Sequence, residues 1–246
     1  MSIDLIHEKV LELLLAEKNR QTWTHYLDIG AGHGSLIEKV KARIPVKTHV
    51  CDYTDELMRV SGQKVDIVNL NNEPLPYADH TFDVVTATEV IEHLENFRRV
   101  VREIHRVLKP GGVCILSTPN ILNLNSRLRF LSFGFWNLFG PLPVRNSALY
   151  STGGHINPVS LFYVGHAILD AGFADVTAHI DRCQRSGIPK LCLLYPWIKL
   201  MGLLALRKER VRYKTIDDSN LPLVSTMNNI KLLLGRTIIT KSTKPS

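Results

Sequence analysis

The sequence predicts an α/β fold: a doubly wound, seven-stranded and mostly parallel sheet with helices on both faces. Three observations lead there. Short apolar runs alternate with stretches of helical period; most of these runs are apolar at successive positions, as strands covered on both faces are; and the first run passes through a glycine-rich turn into a helix.

Each element has its own signal. MSIDLIHEKVLELLLAEKNR repeats Leu5, Val10, Leu13 and Leu14 at helical spacing among Asp4, Glu8, Glu12 and Glu17, so it reads as an amphipathic helix and not a signal peptide. Tyr26 to Ile29 is a first strand, and SLIEKVKARI is a helix ending near Pro45. KTHVCDY (47–53) is a second strand, TDELMRVSG a helix-like piece, VDIVNL (65–70) a third strand and NNEPLPYADH a turn-rich link. FDVVTATE (82–89) is a fourth strand, and IEHLENFRRVVREIHRVL reads as one helix with Asn96 as an internal cap. KPGG stops it, and VCILSTP (113–119) is a fifth strand. After an aromatic insertion come a helix (158–171) stopped by Gly172, a strand FADVTAHI, a second insertion and a last strand GRTIITKS; the tail STKPS reads as disordered. The whole is one domain: helix 1–22, core 23–119, aromatic cap insertion 120–157, helix and strand 158–183, basic and apolar insertion 184–230, last strand 231–241.

Composition narrows the function. Cys51, Cys114, Cys183 and Cys192 form no CxxC pair, which argues against a disulfide scaffold or zinc ribbon and fits a reducing cytoplasm. The net charge of +7 is uneven: residues 1–198 net zero, whereas 199–246 hold ten basic and three acidic residues. A chain that coats nucleic acid would be basic throughout, so a nucleic-acid partner is not expected. The apolar stretches 128–144 and 188–206 are each broken by charge and proline, short of a clean spanning segment.

The most specific motif is Asp28-x-Gly30-x-Gly32-x-Gly34 at the end of the first strand. The dinucleotide fingerprint asks for G-x-G-x-x-G, but here Ser35 holds the third position and Gly34 falls one residue early. A carboxylate at Asp28 suits a ligand offering a cation better than a pyrophosphate. Asp52 ends the second strand, where an acid accepts from both hydroxyls of a ribose.

LDIGAGHGS, HVCDYTDE and the run LPYADHTFDVVTATEVIEHLENFRRVVREIHRVLKPGGVCILSTPN together resemble the class I S-adenosylmethionine-dependent methyltransferases, over about residues 24–120. Within them the chain is similar to the subgroup whose members O-methylate ubiquinone precursors, sugars and other small metabolites. The resemblance implies a Rossmann-like methyltransferase fold and S-adenosyl-L-methionine as cofactor. It implies that Gly30, Gly32 and Gly34 line the methionine part, with Asp28 near its amino end. Asp52 would bind the ribose, Tyr53 would stand beside the adenine, Asn69 and Leu70 would flank it, and Glu89 would stand at the mouth of the fourth strand. Family members usually carry an acid where this chain has Asn69, yet an amide carbonyl can still accept from the adenine amino group.

Methyl transfer to oxygen asks for alignment and a base, and no metal. The spacing shows no HxxxH and no clustered carboxylates away from the strand ends. His93, after the fourth strand, is the first base candidate, and His155, in TGGHINP, the second; either also has a packing role as its alternative. His33 reads as a cofactor or lid contact. Arg98, Arg99, Arg102 and Arg106 line one helix side and read as a solvated face. Phe130, Phe133, Phe135, Trp136 and Phe139 suit a cap over the acceptor. In the second insertion, Tyr195, Trp197, Leu200, Leu203 and Leu204 run into basic residues, as a substrate lid or a peripheral membrane contact would. The expected acceptor is a small-molecule, lipid-linked or glycan-type compound, met in the cytoplasm or at the inner face of a membrane. An RNA methyltransferase and a non-catalytic cofactor-binding protein are the alternatives.

Overall fold

The computed structural model describes residues 2–142 and 154–246. The part of the aromatic insertion at 143–153 lies outside them. Seven strands form one sheet: β1 (His25–Ile29), β2 (Lys47–Asp52), β3 (Asp66–Ile67), β4 (Phe82–Thr88), β5 (Leu108–Pro119), β6 (Thr177–Ile180) and β7 (Thr237–Thr243), in the order β3-β2-β1-β4-β5-β7-β6. The first five pair in parallel, and β7 runs antiparallel between β5 and β6. The chain leaves β1 first toward β2 and later returns to its other side at β4, so the carboxyl ends of β1 and β4 form the switch point where such sheets bind ligands.

Alternation along the strands divides the core between two faces. Tyr26, Val50, Val84, Val113 and Ile115 pack with Ile6, Val10 and Leu14 of α1 (Ser2–Leu15) and Leu36, Ile37 and Val40 of α2 (Ser35–Lys41). Leu27, Ile29, Val85, Ala87, Cys114 and Leu116 face α3 (Phe97–Val107) and, across an intervening helix α4 (Leu124–Phe133) in the chain, α5 (Leu161–Asp170). Both faces of the central strands are apolar because both are covered.

Several expectations are corrected. The single helix over 91–108 is two pieces: a tight turn at Ile91–His93 and then α3. Asn96 starts α3, its side chain accepting from the Arg99 amide, because an N-cap satisfies an end donor that an interior asparagine could not reach. TDELMRVSG is a chain of turns in which the Arg59 amide bonds the His33 carbonyl. KPGG is a bulged part of β5, with Gly111 at φ +74° and the register against β4 shifting between Phe82 and Val84. The tail is anchored: the Lys244 ammonium donates to the carbonyls of His105 (2.7 Å) and Leu108 (2.8 Å), and its amide to Gly112.

The second insertion differs most. It holds α6 (Ile188–Lys208), continued as a helix to Tyr213, then α7 (Leu221–Thr226) and α8 (Ile230–Leu234), so the last strand starts at Thr237 and not at 231. No residue of α6 is buried, and none lines either of the two cavities described below. Leu223 of α7 and Leu232, Leu233 and Leu234 of α8 return the chain to the core.

One carboxylate ties the amino ends of three strands. Asp83 Oδ2 accepts from the amides of Thr24 and His25 (both 2.8 Å), and Lys109 pairs with Oδ1 at 2.8 Å. Burial would raise the Asp83 pKa, yet Lys109 and the amides hold it below the ordinary value. Its contribution is therefore present above the unfolded carboxylate pKa and is lost as pH falls through the lower folded one. Asp83→Ala is expected to lower the urea unfolding free energy by about 2 kcal/mol at pH 7, with a smaller difference at pH 3.

Candidate active site

The site starts from a turn that only glycine adopts easily. Between β1 and α2 the backbone takes φ +67° at Gly30, +50° at Gly32 and +82° at Gly34. The Gly30 amide donates to the Cys51 carbonyl (2.8 Å), and the Gly32 amide to Asp52 Oδ2 (3.0 Å). The other Asp52 oxygen takes the Tyr53 amide at 2.7 Å. Burial raises the Asp52 pKa and these amides oppose it. A Cβ at Gly32 would meet nothing within 4 Å, whereas one at Gly30 would stand 2.5 Å from Val90 Cγ2. The turn thus presents bare backbone to open space.

That space is a cavity of about 690 Å³ at the switch point. It brings together Gly30, Gly32, Asp52, Tyr53, Asn69, Leu70, Glu89 and His93. Ile3, Leu57, Thr88 and Val90 are among the further wall residues that had not been expected. Thr88 and Val90 flank Glu89 and were findable as the residues around a strand end; Ile3 and Leu57 arrive from distant segments and carried no signal.

Three expected residues lie elsewhere. Gly34 is away from the cavity wall and caps α2, where a Cβ would stand 2.5 Å from Val60 Cγ2. Asp28 is also off the wall, pointing to the α1/α2 face. There the Tyr26 hydroxyl bonds Thr86 Oγ1 and that hydroxyl donates to Asp28 Oδ1, both at 2.6 Å. Asp28 Oδ2 is buried without a partner, and burial pushes the carboxyl up to about 7, against the Thr86 bond. An acid so placed, two residues before the turn, is left wanting positive charge.

His155 lines a second cavity of about 400 Å³, with Phe130, Trp136, Phe139, Pro141 and Leu142. Its ring meets that of His93 edge to face with centroids 4.8 Å apart, so the two histidines join the cavities. His93 Nδ1 lies 2.9 Å from the Gly154 carbonyl, which can only accept, so Nδ1 carries the proton and Nε2 a lone pair. Glu92 is fully buried with neither carboxyl oxygen bonded, and burial, then the Glu89 charge, raise its pKa. Glu92, His93 and His155 bring donor atoms within 4.8 Å of one another, a convergence the sequence spacing did not show. Burial favours the neutral form of all three, so the cluster stands as an acid beside two imidazoles. Glu89 occupies φ +55°, held by its amide on Ser117 and by the Ser117 hydroxyl on Oε1 (both 3.0 Å), an uncommon conformation for a side-chain-bearing residue.

The arginine run is structural: Arg106 pairs with Glu103 and Asp79, Arg102 with Asp170, and Arg99 bonds the Asn71 carbonyl. His33 is exposed on the turn, away from the cavity wall.

Asp28 yields a test. Its folded pKa lies above the ordinary 3.8, so ionisation costs folding stability as pH rises from about 4 to about 7. Asp28→Asn removes that cost. The variant is expected to gain on the ligand-free wild type by a few kcal/mol between pH 4 and pH 8, read from unfolding midpoints; a difference flat in pH would show that folding leaves the Asp28 pKa unshifted.

The turn, the acid ending β2 and the absence of a phosphate-type fingerprint suit a cationic nucleoside ligand, and comparison with known proteins agrees. The family model described as a methyltransferase domain matches residues 27–116. The chain is similar to the ubiquinone/menaquinone biosynthesis C-methyltransferase UbiE of Pseudoalteromonas translucida, 28% identical over 140 residues, 51% of this chain and 56% of that protein. It is similar to the malonyl-[acyl-carrier protein] O-methyltransferase of Haemophilus ducreyi, 28% identical over 139 residues, 52% of this chain and 53% of that protein. These matches span about half the length of the curated relatives. In fold it is similar to a SAM dependent methyltransferase from Archaeoglobus fulgidus, with TM-score 0.60 and 15% identity over 97% of this chain and 94% of that one. Residues 27–116 thus match a methyltransferase domain, the whole chain shares the fold of a SAM dependent methyltransferase, and the switch-point cavity lies at the strand ends of that domain.

Proposed function

We propose that the protein transfers a methyl group to a hydroxyl oxygen of a small, lipid-linked or glycan-type acceptor, with His93 taking the hydroxyl proton. One observation carries this reading: His93 lines the glycine-walled cavity and its ring abuts His155 of the aromatic one. When bound, the cofactor supplies a methyl group already activated on a sulfonium.

The chain's own residues do the rest. Gly32 admits the methionine part without a Cβ in the way, Gly30 makes room for Val90 beside it, and Asp52 keeps lone pairs for ribose hydroxyls beyond its two amide bonds. Asn69 Oδ1 accepts from the Asn71 amide at 3.1 Å, leaving a second lone pair for the adenine amino group. Burial lowers the His93 pKa, against the Gly154 bond, so the ring is a neutral base at pH 7. The Nδ1 proton is fixed on Gly154 and Nε2 is the basic atom. Phe130, Trp136 and Phe139 favour an apolar acceptor, and among the described residues neither cavity is lined by Lys or Arg, which disfavours an RNA phosphate backbone there.

The Haemophilus relative is named an O-methyltransferase and the Pseudoalteromonas one a C-methyltransferase. Ionising a phenolic hydroxyl would serve either outcome, but O-methylation loses that proton for good whereas C-methylation expels a ring C–H proton and restores the hydroxyl, so the position of the new methyl group in the product decides between them.

Asp52→Ala is expected to weaken S-adenosylmethionine binding at least about tenfold by calorimetry, as lost hydrogen bonds to two hydroxyls require; unchanged affinity removes the ribose assignment. His93→Gln is expected to lower kcat/KM about 10²–10⁴-fold with cofactor affinity kept. The acidic limb of the wild-type profile should fall below the ordinary histidine value of 6.5, because the folded pKa is lowered.

A further inference from the structure

The methyltransferase reading leaves one large feature unused. The helix from Arg185 to Tyr213 is 29 residues long and none of its most apolar stretch is buried. Leu193 is 75% exposed and Trp197 66%, and Leu200 and Leu204, on the same side at helical spacing, are also exposed. Asn125 of α4 holds the start of this helix through Gln184, Ser186 and Lys190, and α4 adds Leu131, itself 83% exposed. Water is a poor solvent for a surface of this kind.

Charge says what covers it. Residues 185–214 hold eight basic residues and one acid, whereas the rest of the chain holds 22 basic and 22 acidic residues. The whole net charge of +7 therefore sits on this one helix and its end. Five of the basic residues, Arg207, Lys208, Arg210, Arg212 and Lys214, follow directly on the apolar stretch. An apolar face with a tryptophan and a basic end complements an anionic lipid surface.

Topology decides how the helix lies. After Tyr213 only residues 214–220 lead to α7, whose Leu223 packs against Gly165 of α5, and β7 then inserts between β5 and β6. Seven extended residues reach about 24 Å, short of the ~30 Å hydrocarbon core they would have to recross. A spanning helix would leave β7 on the wrong side of the membrane from its two sheet partners. The helix can only lie along the surface.

We infer that α6 and its continuation to Tyr213 are an in-plane membrane-docking helix that binds the anionic face of a lipid bilayer through Leu193, Trp197, Leu200 and Leu204 and through the basic residues 207–214. The inference does not depend on the acceptor.

The test uses the full chain and vesicle sedimentation. Wild type is expected to pellet with equimolar phosphatidylcholine and phosphatidylglycerol, and at least tenfold less with phosphatidylcholine alone or in high salt. Two variants, W197S/L200S/L204S and R207E/R210E/R212E, are expected to lose at least tenfold in partitioning while S-adenosylmethionine affinity and Tm stay at wild type. Because the altered side chains are exposed, retained cofactor binding separates lost docking from lost fold. Pelleting that ignores lipid charge or survives both variants overturns the inference. So does failure to pellet, and so does a solution mass of two chains that the first variant reduces to one, which would make the face an interface between copies of the chain.

Discussion

The hydrogen bond from the Gly32 amide to Asp52 Oδ2 is the constraint on which the site depends. It fastens the turn after β1 to the end of β2, so the loop is set by the sheet and not by its own glycines. A second contact fastens the same turn from the other side. The missing Cβ of Gly30 leaves room for Val90, which follows the strained Glu89 at the end of β4. Three strand ends thereby share one small volume, and the cavity is what remains between them. A turn of flexible residues held at its flanks in this way loses the entropy that would otherwise be lost on binding.

Acids stand at this volume and around it. Asp52 and Glu89 on its wall, and Asp28 and Glu92 buried off it, all have their pKa values raised, with burial as the first cause in each. Among the described residues, neither cavity wall contains a lysine or arginine. Acids held in this state respond strongly to a cation, since arrival of positive charge favours their ionised forms. A sulfonium and an ammonium bring that charge, so cofactor binding and proton release are linked. The turn supplies access and the buried acids supply preference.

Much of this was legible in the sequence, for reasons that differ by residue. The alternation of Leu27 and Ile29 against Tyr26 and Asp28 encodes both faces of β1, because strand periodicity is local. Gly30, Gly32 and Asp52 were legible because the chemistry restricts what can stand there. Asn96 was misplaced within a helix because apolar spacing continues across it, and only the bond to the Arg99 amide tells a cap from an interior residue. KPGG reads as a stop in sequence but becomes strand because Lys109 pairs with Asp83 and Gly111 absorbs the bulge. The contact between His93 and His155 joins segments 62 positions apart in the chain, and no local pattern encodes that.

The second insertion shows why composition alone misleads about partners. A charge of +7 spread over a surface would attract polyanions broadly. Confined to one helix, it leaves the described walls of both cavities without lysine or arginine, while the Arg236 charge opposes the rise of the Glu89 pKa. The two properties are connected: an excess of lysine and arginine near the switch point would neutralise the preference for a cationic cofactor. Separation of the charges lets one chain hold a cation-seeking pocket and an anion-seeking surface without either cancelling the other. Beyond a Debye length of about 8 Å such fields are largely screened, so charges gathered on one exposed helix act first on what that helix meets.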